Sequence, residues 1–281
     1  MDKKYLIAFD FDGTILPSVN TLSERTVAAV KAAKAAGHII VATSARHWPM
    51  IEWVYDRMGL DTPISTINGA HVYHPKDDSF PVKEYKIGRG IVRILLELGA
   101  KYQCNPAYVE YRDRAWYTEG DHNKYYGQRI QLSKPGICFE WDNMPDTEAS
   151  RVVLTPPDKK SLDAIVETVS KIEGIKANPW AAPSKKTACG EVYRVSIAPV
   201  GADKWDGVKH IADYYGIDAE DIYTFGDMWN DFGMIENAGH GYALKGSDAD
   251  RQMKDKNVTR FSCAEDGVAE VIEREILKLH D

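Results

Sequence analysis

The chain has 281 residues, 44% hydrophobic and 27% charged, with a net charge of −7 and a pI near 5.7. That length and composition fit a globular protein of one large domain or two modest ones, and the acidic balance argues against a dedicated binder of nucleic acid or anionic membrane. No segment approaches the roughly 18 apolar residues of a membrane span, the apolar run 5–9 is too short for a signal-peptide core, and Cys104, Cys138, Cys189 and Cys263 form no C-x-x-C pair, so a reduced cytoplasmic protein is expected.

Residues 5–9 read as a buried strand that ends in two carboxylates, Asp10 and Asp12, within FDFDGTIL. Thr21-Leu-Ser-Glu24 fits a capping box, and the helix it opens stops at Gly37. Residues 38–42 read as a second buried strand, 48–58 as a helix and 64–67 as a third strand. Strands separated by helices imply a parallel sheet with right-handed crossovers. From about 83 to 198 the chain is richer in Tyr, Trp, Pro and Arg. A helix is expected at 91–98, antiparallel strands at 108–112 and 115–118, and a strand at 151–155. An amphipathic helix at 159–172 and a strand at 192–197 follow. After Pro199 the first rhythm returns, with helices near 204–215, 230–236, 248–254 and 268–279 and strands at 222–225 and 242–244. The expectation is an α/β core built from residues 1–82 and 199–281, with an α+β domain of residues 83–198 inserted.

Parallel sheets bind ligands beyond the carboxyl ends of their strands. Asp10 and Asp12 occupy such an end. So do Thr43 and Ser44, and so does the run Gly226-Asp227-Met-Trp-Asn230-Asp231. Carboxylates in such places suit phosphoryl transfer, in which one attacks phosphorus and an aspartyl phosphate forms. A phosphate dianion repels carboxylates, so cations are required. Mg²⁺ prefers a few oxygen ligands and keeps its waters. Asp10 and Asp227 are candidates to share the ion, with Asp231 and Asn230 in support. Ser44 and Lys204 are candidates for holding phosphate oxygens. Gly13 allows a tight turn, which Thr14 is placed to anchor.

Together, DFDGT at 10–14, the hydroxyl after the second strand, Lys204 ahead of a helix and GDMWND at 226–231 resemble, in order and spacing, the four motifs of haloacid dehalogenase (HAD) superfamily phosphatases. Asn68-Gly69-Ala70, the inserted middle domain and Glu265-Asp266-Gly267-Val268-Ala269 resemble the Cof-type subgroup with its large cap. The resemblance covers roughly residues 1–82 and 199–281. It implies a Rossmann-like, HAD-like parallel-sheet core with an inserted α+β cap domain. It also implies a Mg²⁺-dependent phosphatase, a monomer or homodimer, acting on a small phosphorylated metabolite such as a sugar phosphate or a phosphorylated cofactor. By this resemblance Asp10 is the nucleophile and Asp12 the general acid and base, with its backbone carbonyl on Mg²⁺. Asp227 is the other protein ligand, and Asp231 orders the metal's waters. Ser44, Lys204, Asn68 and Asn230 contact phosphate or substrate, with Gly226, Thr14 and Arg46 around them.

Two departures from the family pattern stand out. Ser44-Ala45-Arg46 replaces the usual hydroxyl-Gly-Arg and leaves Thr43 as a rival to Ser44. Trp205 follows Lys204 where Gly is common, which keeps Lys185, Lys186 and Lys209 open as alternatives. His71 and His74 spell H-x-x-H, but the following Pro reads as a loop leaving the core rather than a metal site. Trp116, Trp141, Trp180, Tyr125 and Tyr126 are assigned to the core or surface of the cap, and Arg112 and Arg114 are candidates for meeting an anionic substrate. A phosphomutase or phosphotransferase of the same fold, or a non-catalytic regulatory protein, are the alternatives.

Overall fold

A computed structural model describes residues 3–18, 20–119, 136–183 and 191–279. The chain divides into two compact units. One comprises Met1–Arg46, Met50–Lys83 and Asp203–Asp281; the other comprises His47–Pro49 and Glu84–Ala202.

In the first unit the apolar run ahead of Asp10 forms β1 (Leu6–Phe9), wholly buried. Helix α1 (Glu24–Ala35) is capped by Ser23, whose Oγ accepts from Thr26 N. The cap therefore lies two residues beyond the Thr21 expected from sequence. Ser23 Oγ also donates to Asp266, a partner far along the chain that no local pattern reveals. Strand β2 (Ile39–Thr43) follows. The helix expected over 48–58 is in two pieces, a 3₁₀ turn at Trp48–Met50 and α2 (Glu52–Arg57), with His47–Pro49 assigned to the second unit. Strand β3 (Ile64–Thr66) pairs antiparallel with β4 (His71–Tyr73), and β5 (Lys83–Glu84) lies at the sheet edge.

The second unit contains α3 (Arg89–Lys101), β6 (Ala107–Tyr111), β7 (Arg114–Thr118), β8 (Ile137–Phe139), β9 (Arg151–Leu154), α4 (Lys159–Val169), β10 (Ile175–Pro183) and β11 (Glu191–Pro199). Its sheet runs β10-β11-β9-β6-β7-β8, antiparallel except for β7 and β8. The apolar stripes of α3 (Val92, Leu95, Leu96) and α4 (Leu162, Ile165, Val169) share one core with strand residues such as Val109, Val152 and Ile197. Trp116 and Trp141 pack against that core, whereas Trp180 is exposed with the Arg194 guanidinium 4.8 Å over its ring. Tyr125 and Tyr126 lie outside the described residues, as do Lys185, Lys186 and Cys189. Cys104, Cys138 and Cys263 are free thiols.

A carboxylate with no exposure, Glu110, lies in the second unit's sheet. Arg151 Nε donates to its Oε2 at 2.6 Å, and His47 Nδ1 stands 3.4 Å from its Oε1. Burial alone would raise its pKa, but Arg151 and His47 outweigh burial and hold it at about 2, against an ordinary 4.5. A depressed carboxylate stabilises the fold above its unfolded pKa, and this contribution disappears as pH falls through the folded value. Glu110→Gln, which removes the buried negative charge that answers Arg151, is expected to cost about 3–5 kcal/mol in urea unfolding at pH 7. The gap from wild type is expected to narrow between about pH 4.5 and pH 2; a pH-independent gap would contradict the assignment.

The chain returns to the first unit through α5 (Lys204–Tyr215), β12 (Ile222–Gly226), α6 (Phe232–Asn237), β13 (His240–Ala243), α7 (Asp248–Gln252), β14 (Asn257–Val258) and α8 (Gly267–Val271). The last helix continues into a π-helical turn at Ile272–Ile276. The fold is of the α/β class, with strand order β14-β13-β12-β1-β2-β3-β4-β5, parallel from β14 to β3. Val208, Ile211 and Ala212 of α5 are buried with Leu6, Ala8, Ile39, Val41 and Ile222 of the central strands. Phe9 of β1 pairs with Phe225 on one side and Ala42 on the other. One residue further along, Asp10, Gly226 and Thr43 therefore stand abreast at the strands' carboxyl ends.

Candidate active site

Asp10 leaves β1 with its backbone held, since its N–H donates to Phe225 O at 3.1 Å. Its side chain is buried and accepts the Lys204 ammonium at 2.7 Å. Lys204 is the first residue of α5, whose N-cap Asp203 accepts from Asp206 N at 2.8 Å. Lys204 Nζ also donates to Asp231 Oδ1 at 2.6 Å. Burial works against the ammonium, but Asp10 and Asp231 outweigh it and raise its pKa, so Lys204 is charged. Trp205 is an ordinary helical residue here, partly buried against the α5 cluster, so no glycine is needed after the lysine. Lys209 is paired with Asp213 along the same helix.

Asp231 has no exposure and organises its own loop. Its Oδ2 accepts from the N–H groups of Asp227 (2.9 Å) and Met228 (3.0 Å). This close turn needs Gly226, where a Cβ would fall 2.3 Å from Asp231 Cβ. Thr14 Oγ1 donates to Asp227 Oδ1 at 3.2 Å. Gly13, at φ +77°, passes so near that a Cβ there would fall 2.3 Å from Asp227 Oδ2. Thus the DFDGT turn and the GDMWND turn shape each other.

Asp10, Asp227 and Asp231 offer carboxylate oxygens that all lie within 4.8 Å of one another. Burial, joined by the charges of Asp231, Asp227 and Asp12, raises the Asp10 pKa well above the usual carboxylate range despite Lys204. Burial and Asp231 push Asp227 up to about 7. One ammonium among two buried carboxylates and the half-buried Asp227 leaves the site short of positive charge. A hard divalent cation with oxygen ligands fits this donor set. The histidines stand elsewhere: His71 stacks on Tyr73 in β4, and His74 Nε2 is paired with Asp61 O.

Asp12 is met by Arg46, whose Nε donates to Asp12 Oδ2 at 2.7 Å and whose second nitrogen bonds the other oxygen. The sequence leaves Arg46 open between a salt bridge at a helix start and a phosphate or substrate contact, and in the folded chain it is bidentate on Asp12. Ser44 Oγ accepts from Arg46 N at 3.1 Å, which leaves its O–H free to donate elsewhere. Thr43 Oγ1 is buried and makes no hydrogen bond among the described residues. Asn68 Oδ1 accepts from Asn230 Nδ2 at 3.0 Å, a pairing across 162 positions that no motif announces. Arg112 is paired with Glu84, its Nε 2.8 Å from Oε1, and Arg114 is exposed on β7.

A surplus of buried carboxylates around one lysine suits attack on phosphorus under a shared cation, and the class so defined is a phosphatase of α/β fold. The chain belongs to the haloacid dehalogenase-like hydrolase family, whose sequence model matches residues 7–272. It is 32% identical over 270 residues to 5-amino-6-(5-phospho-D-ribitylamino)uracil phosphatase YitU of Bacillus subtilis, covering 95% of this chain and 96% of that one. It is 23% identical over 242 residues to HMP-PP phosphatase of Yersinia pseudotuberculosis, covering 85% and 83%. Among solved structures, a haloacid dehalogenase-like hydrolase from Bacteroides thetaiotaomicron superposes with a TM-score of 0.74 at 20% identity, over 97% of this chain and 99% of that one. A HAD subclass IIB sugar phosphatase does so with a TM-score of 0.75 at 19% identity, over 96% and 98%. The resemblance read from the motifs is borne out.

Proposed function

We propose that this chain is a cytoplasmic, Mg²⁺-dependent phosphatase that hydrolyses a small phosphorylated metabolite through an aspartyl phosphate. The observation that carries this reading is the close triad Asp10, Asp227 and Asp231, with Lys204 paired to its two buried members. Asp10, Asp227 and the backbone carbonyl of Asp12 would hold Mg²⁺, which when bound supplies the positive charge that lets a phosphate dianion approach these carboxylates.

Asp10 attacks phosphorus as the bond to the leaving oxygen breaks, and Asp12 delivers its proton to that oxygen. Asp12 then takes a proton from the water that attacks the aspartyl phosphate, releasing phosphate and restoring Asp10. Arg46 holds Asp12 in place. Lys204 has three N–H donors, and the one not used on Asp10 and Asp231 remains for a phosphoryl oxygen. Ser44 O–H and the Asn68 amide serve the other oxygens. These donors stand ready before charge develops, which is where most of the rate enhancement arises.

The phosphatases of a ribitylaminouracil phosphate and of HMP-PP support a small metabolite as substrate. Among the described residues no helix is long and apolar enough to cross a membrane. The test is phosphate release by the purified protein from a panel of phosphorylated metabolites, including sugar phosphates and phosphorylated pyrimidines. Release is expected with Mg²⁺ and is expected to disappear with EDTA. Activity unchanged by EDTA, or no release from any ester, would contradict the reading.

A further inference from the structure

Glu110 and Arg151 are register partners on β6 and β9. Their neighbours Val109 and Val152 face the core shared with α3 and α4, so the ion pair stands on the sheet's other face. Both residues are buried there. Arg151 brings two nitrogens to one oxygen, with Nε 2.6 Å and Nη2 2.5 Å from Glu110 Oε2. Oε1 is left to His47, a buried residue whose Nδ1 stands 3.4 Å away. Neither Oε1 nor Nδ1 makes a hydrogen bond among the described residues, so each is left to answer the other, with the proton on Nδ1. The place of His47 in the chain gives this cluster a use. Of the loop after β2, only His47–Pro49 belong to the second unit, and Arg46 is the residue just before them. The Arg46 side chain is buried, its Nη1 makes no hydrogen bond among the described residues, and Asp12 holds the rest of the guanidinium. Arg46 N donates to Ser44 Oγ and Arg46 O accepts from Ile67 N, each at 3.1 Å, and the next peptide leads into the buried His47 ring. The Asp12 side chain is half exposed, so without its clamp it is free to turn.

We propose that His47 is a positioning residue for protonation of the leaving group. Docked on Glu110, it sets the direction in which the chain leaves Arg46, and Arg46 in turn holds the Asp12 carboxyl. Asp12 gives its proton to the leaving oxygen as that oxygen's bond to phosphorus breaks and the bond from Asp10 forms; no atom of His47 enters the exchange. The inference deepens the phosphatase reading and rests on it. Its signature is selective. p-Nitrophenolate leaves without a proton, whereas the phenolate of phenyl phosphate is a stronger base and needs one. A misplaced Asp12 therefore slows phenol release and spares p-nitrophenol release. A general loosening of the fold slows both.

The experiment is single-turnover release of phenol and of p-nitrophenol from the two esters, with Mg²⁺ and enzyme in excess. The proteins are wild type, His47→Leu, His47→Asn, Arg46→Met, the His47→Leu/Arg46→Met double variant and Asp10→Asn. Leucine keeps the bulk and removes the ring N–H. His47→Leu is expected to slow phenol release about 10- to 100-fold and p-nitrophenol release less than about threefold. Asparagine offers an N–H near the place of Nδ1, and His47→Asn is expected within about threefold of wild type on both esters. The double variant is expected to lose no more than Arg46→Met, because both changes act on one clamp. If His47→Leu lowers the thermal midpoint by more than about 8 °C, His47→Gln takes its place. Its N–H lies at the Nε2 end, so the same selective loss is expected. Equal losses on the two esters would overturn the proposal, as would losses that multiply in the double variant. So would wild-type phenol release without the Nδ1 donor, or an asparagine variant as slow as the leucine one. Any of these beside an inactive Asp10→Asn sinks this inference alone, whereas equal release by wild type and Asp10→Asn sinks the phosphatase reading with it.

Discussion

Asp10→Asn is expected to lower phosphate release by at least about 10⁴-fold while the fold is kept, since removing a covalent nucleophile removes the step that the other groups serve. An amide in that place cannot attack phosphorus. The stability expectation is equally specific. Burial and three neighbouring carboxylates already push the Asp10 pKa well up, so its charge is unfavourable in the folded, metal-free chain. Replacing it by a neutral isostere relieves that repulsion and leaves Lys204 paired with Asp231 at 2.6 Å. The metal-free thermal midpoint of the variant at pH 7 is therefore expected at or above that of wild type. Phosphate release and a thermal scan measure the two effects. Activity within tenfold of wild type would place the nucleophile elsewhere.

Lys204→Met is expected to damage both activity and stability. The lysine is buried and answers Asp10 and Asp231 together. Methionine fills a similar volume but leaves those carboxylates, with Asp227 beside them, without an internal cation. Breaking a buried ion pair on one side costs about 3–5 kcal/mol. The sign of the pH dependence follows from the raised carboxylates. An acid whose folded pKa exceeds its unfolded value destabilises the fold above the unfolded value, and the penalty fades as pH falls toward it. Urea unfolding is thus expected to show a large deficit at pH 7 that shrinks toward about pH 4. Mg²⁺ is expected to restore part of the loss at pH 7. A variant as stable as wild type at pH 7 would show that the three carboxylates tolerate one another without the lysine.

The sequence made the site's ingredients legible because each is local to a strand end. Asp10 and Asp12 follow an apolar run, Asp227 and Asp231 follow another, and parallel register brings Phe9 beside Phe225. Which side chains touch was less legible. Arg46 on Asp12, Asn230 on Asn68 and Ser23 on Asp266 join positions 34, 162 and 243 apart, and no short pattern encodes such pairs. Trp205 shows the reverse error. A residue that looked incompatible with a glycine position occupies ordinary helix, because Asp203 caps α5 and Lys204 is already inside it. In the second unit, β10 carries Pro179 and Pro183, which obscure the strand in the sequence pattern. It lies at the edge of its sheet, where proline is tolerated. The final helix and the 48–58 helix were legible as apolar periodicity, but not their π-helical turn or their break.

The central claim is a covalent phosphate on Asp10, and the most direct measurement uses Asp12→Asn. With p-nitrophenyl phosphate the leaving group needs no proton, so attack proceeds, while hydrolysis of the aspartyl phosphate lacks its base. Rapid mixing with Mg²⁺, acid quench and mass spectrometry of the peptide that contains Asp10 are expected to show one phosphate there, together with a burst of one p-nitrophenol per chain. No burst and no phosphate on that peptide, with turnover continuing, would contradict the account.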